Sequence, residues 1–293
     1  MKNELGLPAW LVEVVEQTRN QYDPGEKTDY SATSLLVPPM IYALQKEHQP
    51  EEDVRDALPA FLGSGLHNEI ENCLKQNPRY LVEERLYAEI DVPDSPTKKT
   101  FIVSAQLDLY DKELCEVSDH KLSKIFSFRG NKPEYEFQLN FQAWLLRKHG
   151  YETKALKING FAKDWSFVQT EINKDYPKAL YVPVEFPLWD DVDVEEFTRR
   201  AIVEKENAKI GQIRVCSPEE RWAKPTQYKV RREGRKTALR VLNSRQDAEQ
   251  YIANLSKPTG KEYIEEIEGD DTRCKFYCNV REHCSFYKEK YGK

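Results

Sequence analysis

The stretch FIVSAQLDLYDKELCEVSDHKLSKI limits what the chain can fold into more than any other. Residues 101–110 alternate apolar with polar, and strand-like CEVSDHKLSKI follows the polar break DKEL, so the two halves read as a β-hairpin. Period 2 sends Val103, Ala105, Leu107 and Leu109 to one face and Gln106, Asp108 and Tyr110 to the other, leaving a carboxylate at mid-strand. Asp119 and Lys121, two apart, share a face of the second strand, and folding about DKEL sets Asp108 nearly opposite Asp119. Two carboxylates held this close repel unless a cation lies between them, which points to an oxygen-loving divalent metal, Mg2+ or Mn2+. Lys121 beside such a metal orients a water and offsets the charge that builds on phosphate during in-line attack, so the centre suits phosphodiester hydrolysis. A surface hairpin with ordinary exposed ion pairs is the plain alternative.

Elements of both kinds surround the hairpin, which predicts an α/β fold. YSATSLLVPPMIYALQKEH reads as helical, with Ser31 or Thr33 as a cap and Pro38-Pro39 as a break. In FLGSGLHNEIENCLKQ, Leu62, Leu66, Ile70 and Leu74 form a helical stripe with His67 and Glu71 on a neighbouring face. YEFQLNFQAWLLRKHGY is a helix closed by Gly150, and ALKING and ALYVPVEF are further strands. WDDVDVEEFTRRAIVEKENAK starts a long polar helix whose first-turn acids, Asp190, Asp191, Asp193, Glu195 and Glu196, suit the helix dipole and have no partner lysine at strand spacing. These elements divide into an N-terminal helical part (1–60), a core (61–210) and a C-terminal extension (211–293).

His67 lies upstream of the hairpin and Gln138 downstream, giving the order helix, strand, strand, helix. The string GSGLH at 63–67, Asp108, Asp119-His120-Lys121 and QLNFQAWLL from Gln138 resembles the RecB-like branch of the PD-(D/E)XK nuclease superfamily, especially the CRISPR-adaptation nucleases and their phage-encoded relatives. The resemblance covers roughly residues 30–145. It implies a restriction-endonuclease-like central mixed sheet flanked by helices, with His67, Asp108, Asp119 and the main-chain carbonyl of His120 as metal ligands. It also implies that Lys121 is the catalytic lysine and that Gln138 shapes the site and contacts substrate. Family members carry tyrosine four residues after that glutamine, where this chain has Gln142.

The tail RCKFYCNVREHC places Cys274, Cys278 and Cys284 within reach of one metal. Cys216 is the expected fourth ligand, with His283 as a substitute, while Cys73 and Cys115 read as small buried hydrophobes. Spacing alone leaves zinc and an iron–sulfur cluster open. The resemblance favours the cluster, since many relatives hold a four-iron four-sulfur centre with three tail cysteines and one far upstream. No cysteine precedes His67 here, so zinc stays open. Either metal would staple the extension to the core.

A net charge of −6 does not announce a polyanion binder, but charge is unevenly spread. Lys224, Lys229, Arg231, Arg232, Arg235, Lys236 and Arg240 stand against one acid between 224 and 240, a stretch suited to DNA or, equally, a solvated hairpin or helix face. KLSKIFSFRGNK at 121–132 is a second basic stretch. A hydrophobic fraction of 39% supplies a real core, and no run of about 18 apolar residues exists to cross a membrane. Acids inside the apolar N-terminal stretch are unlike a secretory signal, which points to the cytoplasm. The resulting expectation is a divalent-metal-dependent DNA nuclease. An exonuclease acting on ends or single strands in recombination, repair or replication is favoured, with other recombination or replication proteins as partners. A structure-specific or restriction-like endonuclease and a non-catalytic DNA-binding subunit are the alternatives.

Overall fold

The computed structural model describes residues 1–20, 27–130 and 132–292. Residues 21–26 of the expected N-terminal helical part, and Asn131 of the second basic stretch, lie outside the described residues. Two compact units form: Met1–Val37 with Gln49–Ile213, and Pro38–His48 with Arg214–Lys293. Among the described residues no helix is long and apolar enough to cross a membrane.

The first unit opens with α1 (Ala9–Asn20), β1 (Tyr30–Ser31) and α2 (Ala32–Leu36). Ser31 caps α2, accepting from the Ser34 amide at 3.2 Å. The proline pair then ends α2, and α3 (Pro39–His48), a member of the second unit, starts on Pro39, where a missing N–H costs nothing. Asp53 caps α4 (Val54–Leu74), whose Val54 and Ala57 bury against Val15 of α1. Farther along α4, Leu66, Ile70 and Leu74 are half-buried while Leu62 is exposed.

A bent antiparallel ribbon comes next. β2 (Tyr80–Val82) pairs with β5 (Leu109–Asp111), and β3 (Arg85–Asp91) pairs with β4 (Thr100–Gln106). Val82 faces Leu109 and Arg85 faces Gln106, so one register runs through the break and sets Glu83 opposite Asp108. At the break Glu83 adopts φ 52°, and the Leu107 amide still donates to the Glu84 carbonyl at 2.8 Å. The expected single strand FIVSAQLDLY is therefore two strands in two sheets, with Asp108 at the bend rather than at mid-strand. Leu107 and Tyr110 are both buried, and a flat strand would send residues three apart to opposite faces, so the chain bends to bury both. Tyr110, assigned to the polar face by alternation, instead donates its hydroxyl to the Glu152 carbonyl at 2.6 Å.

One sheet has the order β1-β4-β3; the other is β2-β5-β6-β7-β8, with β6 (Glu116–Ser123) parallel to β7 (Ala155–Ala162) and its other pairs antiparallel. This is a mixed α/β architecture. Helix α5 (Pro133–Lys148) supplies the densest part of the core through Phe137, Leu139, Phe141, Trp144 and Leu145, and Gly150 at φ 85° closes it. After α6 (Phe167–Ile172) and β8 (Tyr181–Phe186), α7 (Asp191–Lys209) carries its acids in the first turn, where Asp191 accepts from Arg147 at 2.7 Å.

In the second unit β9 (Gln227–Arg232) lies between β10 (Arg240–Leu242) and β11 (Glu262–Ile267), all antiparallel, with α8 (Arg245–Ala253) packed on them. Two short helices, α9 (Thr272–Phe276) and α10 (Ser285–Tyr291), follow. The buried Asp271 gathers Arg221 at 3.0 Å, Lys290 at 2.8 Å and the Tyr291 hydroxyl at 2.7 Å.

Candidate active site

Strand pairing builds the site. β5 pairs with β6 so that Leu109 faces Ser118, and continuing that register sets Asp108 opposite Asp119. Glu83, Asp108 and Asp119 thus stand in a row across three neighbouring strands. Asp119 is fully buried and Asp108 nearly so. The expectation that both hairpin aspartates meet agrees with this geometry; the row's third acid, Glu83, was missed. Its signal was in VEERLYAEID, where alternating Leu86, Ala88 and Ile90 mark a strand able to pair with FIVSAQ.

Helix α4 brings His67 to the row. Its Nδ1 lies 3.1 Å from Glu83 Oε1 and 3.6 Å from Asp108 Oδ2, and its Nε2 lies 3.1 Å from the His120 carbonyl oxygen. Ligand atoms of His67, Glu83 and Asp108 all fall within 4.8 Å of one another, a group able to hold one metal ion. The His120 amide donates to Asp108 Oδ2 at 2.7 Å, and Gln106 donates to Glu83 Oε2 at 2.7 Å while accepting from Arg85 at 2.9 Å.

Asp119 is held from the other side. Lys121 Nζ pairs with its Oδ2, and Gln138 Nε2, on α5, donates to its Oδ1 at 2.6 Å. Gln142, one turn on, is buried and donates to the Gln106 carbonyl at 2.9 Å, so the residue standing where the resembling family has tyrosine ties α5 to β4. Lys121, Gln138 and Gln142 line, with His67, Glu83 and Asp108, a cleft of about 850 Å³ to which Arg85, Tyr87 and Asn68 also contribute, and Asp119 is buried behind them.

Electrostatics follow from this crowding. Burial, then the neighbouring Asp119 charge, holds the Asp108 carboxyl well above the usual range. Burial opposes protonation of His67, but its bond to Glu83 and the charges of Asp108, Glu83 and Asp119 win, pushing the imidazole up to about 9. Burial and the His67 charge push His120 down to about 4. Lys121 is raised: burial lowers it, yet Asp119 and Asp108 outweigh that and keep it charged. The donor set, the His67 imidazole with the Glu83 and Asp108 carboxylates, fits a hard divalent cation, while the Asp119 oxygens are taken by Lys121 and Gln138.

The cysteines sit in the second unit. Cys216, Cys274, Cys278 and Cys284 line one small cavity together with Met40, Ile41 and Leu44 of α3. They do not close into a ligand cluster; among the described residues the one group of three or more donor atoms near enough to share a metal is His67, Glu83 and Asp108. Burial, then Glu220 and the other thiols, pushes Cys216 up to about 12, and burial, then Asp271 and its neighbours, pushes Cys274 up to about 11. His283 stacks on His48 with centroids 3.7 Å apart. Cys73 is exposed on α4, and Cys115 is half-buried in the β5–β6 turn at φ 52°, so neither is the buried hydrophobe expected. A helix face turned to solvent and a tight turn are where the reading from element type alone fails.

The basic stretch forms the β9–β10 hairpin. Arg231 pairs with Glu265 and Arg232 with Glu262, both across to β11, the latter at 2.8 Å. The Glu262 carboxyl is held at about 2 by backbone and side-chain bonds from Thr259, with Arg232 adding to them.

No family model and no curated protein matches the chain. Among solved structures it is similar to the crystal structure of SSO0001, with 19% identity, a TM-score of 0.48, and coverage of 72% of this chain and 88% of that one. It is also similar to a phage related exonuclease from Haemophilus somnus 129PT, at 13% identity and a TM-score of 0.30, covering 69% of this chain and 82% of the other. Neither likeness transfers a residue role, and the site rests on its own geometry.

Proposed function

We propose that the chain is a divalent-metal-dependent deoxyribonuclease with a restriction-endonuclease-like core of the RecB-like kind, acting as an exonuclease on DNA ends or single strands in recombination, repair or replication. The observation that carries this reading is the row Glu83, Asp108 and Asp119, flanked by His67 on one side and by Lys121 on the other. His67, Asp108, Asp119 and the His120 carbonyl, joined by Glu83, would hold Mg2+ or Mn2+. Such an ion supplies Lewis-acid polarisation of the phosphodiester and a water of lowered pKa. Lys121 keeps its proton and offsets the negative charge that grows on the phosphate. Gln138 fixes the Asp119 carboxylate so that its orientation does not change as that charge develops.

Cys216, Cys274, Cys278 and Cys284 would hold an iron–sulfur cluster, or alternatively zinc, with a structural role; their shared cavity supports this. Lys224, Lys229, Arg231, Arg232, Arg235, Lys236 and Arg240 are the proposed DNA contacts, and a cytoplasmic protein working with other recombination or replication proteins is the matching setting. Incubating the protein with end-labelled linear and circular DNA, single- and double-stranded, with Mg2+, Mn2+ or chelator tests the reading. Metal-dependent loss of linear substrate with circles spared is expected. Cut circles assign an endonuclease, and intact DNA under all conditions leaves a non-catalytic DNA-binding subunit.

A further inference from the structure

The second unit carries an aromatic face that the cysteine cavity does not require. Trp222 is 43% exposed and Phe276 and Tyr277 each 68%. The Trp222 and Tyr277 rings meet edge to face with centroids 5.4 Å apart, and the Arg273 guanidinium lies 5.2 Å from the Trp222 ring centre. Water is a poor environment for exposed rings, and the Trp222–Tyr277 pair, with exposed Phe276 next to Tyr277 in the chain, is the kind of feature that marks a binding site.

The backbone strengthens the case. Trp222 sits at φ 53°, a left-handed conformation that a bulky residue adopts only when its surroundings enforce it. They do so here: the Arg273 amide donates to the Arg221 carbonyl at 3.0 Å, the Lys224 amide to the Asp270 carbonyl at 2.7 Å, and Ala223 bridges Asp271. The clamp holds the indole out at the surface. Segments 222–224 and 273–277 contribute Lys224, Arg273 and Lys275 and no acid, although Lys275 also lies 3.7 Å from Asp270.

Exposed rings interleaved with cations match a ligand that presents both π-faces and phosphates. A duplex hides its base faces within the stack, whereas a single strand offers them. We propose that Trp222, Phe276 and Tyr277 form a base-stacking surface for single-stranded nucleic acid. The choice of DNA as its ligand rests on the proposed nuclease function; the stacking itself does not.

The test is fluorescence anisotropy of a labelled oligothymidylate against an abasic strand of equal length, using the whole chain without added divalent metal. The intact strand should bind at least about fivefold more tightly, the range expected for even one stacked base. Trp222→Ala and Phe276→Ala should erase that preference while keeping a weaker, salt-dependent affinity for both strands, and Trp222→Phe should restore most of it. If Trp222→Ala fails to fold by circular dichroism, Phe276→Ala and Tyr277→Ala, at exposed rings, decide. Folded variants that keep the wild-type ratio overturn the proposal, as does a wild-type protein indifferent to the bases, which assigns the face to a protein partner. Base-selective binding without Mg2+-dependent cleavage would remove the nuclease reading alone, and cleavage without base selectivity would remove the stacking surface alone.

Discussion

The two candidate metal-binding regions are built on opposite principles. In the first unit the acids are placed by strand register, one rung across β2, β5 and β6, and their charges are already answered by the chain through His67, Lys121 and Gln138. In the second unit the thiols come from loops at Cys216 and Cys278, from within the five-residue α9 at Cys274 and from the cap of α10 at Cys284, line a small cavity, and have burial pushing Cys216, Cys274 and Cys278 upward. A site fixed by backbone pairing needs no ligand to hold its shape, whereas one assembled from loops gains its order from what it binds. Substitutions in the first region should therefore cost chemistry, and those in the second should cost stability.

The largest effect tests the first half of that contrast. Asp108→Asn, Asp119→Asn and Lys121→Ala should each lower single-turnover cleavage by at least about a hundredfold, because each removes a group acting on the transition state. Thermal midpoints should hold, and for Asp108→Asn should not fall, since burial and Asp119 already disfavour its charged form. Near-normal turnover in any one of them removes that residue from the centre. A drop in midpoint with intact specific activity would reverse the contrast.

Glu83 sharpens it next. If its carboxylate is a ligand, Glu83→Gln should weaken the Mn2+ or Mg2+ dependence of cleavage by about ten- to a hundredfold, with maximal rate recovered at high metal. Gln138→Ala, by contrast, frees the Asp119 carboxylate and should reduce the rate at saturating metal. Identical metal titrations for Glu83→Gln and wild type would leave Glu83 as a support for His67 alone.

What the sequence disclosed divides along the same line. Asp108, Asp119 and Lys121 were legible because period-2 alternation and a short turn fix a register that needs no distant information. Glu83 was not, since its place depends on pairing between segments some twenty-five residues apart across the bent ribbon, and on the left-handed turn that bends it. The bend at Leu107 and Asp108 was hidden for a related reason: burying both Leu107 and Tyr110 is a tertiary demand that overrides alternation. In the tail, the four cysteines line one cavity without closing into a ligand group among the described residues, and their spacing held nothing about α3, whose Met40, Ile41 and Leu44 line the same cavity from more than 170 residues upstream.

The second half of the contrast predicts a smaller and different loss. Serine at Cys216, Cys274, Cys278 or Cys284 should abolish metal content, lower the thermal midpoint by several degrees and reduce solubility, with cleavage per folded molecule little changed. Cys73→Ser and Cys115→Ser should alter none of these. A brown protein with iron and sulfide identifies a cluster, and a colourless one with zinc identifies the tetrahedral site. Protein free of both metals yet fully stable sinks the assignment.

The smallest expected effect separates cations within the basic hairpin. Arg231 and Arg232 spend their charge on Glu265 and Glu262, so reversing both exchanges two ion pairs for two repulsions inside the sheet, while a cation already paired with an acid has less to offer a phosphate directly. Among the described residues, Arg235 and Lys236 carry no such cross-strand acid pair, and a DNA phosphate would be their natural counter-charge. Reversing Arg235 and Lys236 together should thus weaken DNA binding a few-fold and flatten the salt dependence by nearly one unit of logarithmic slope for each phosphate left without its cation. Reversing Arg231 and Arg232 should instead lower the thermal midpoint, with a smaller change in slope. Equal slopes for both pairs and wild type would make the hairpin a solvated face. A larger slope change for Arg231 and Arg232 would mean that their acids release them when DNA arrives.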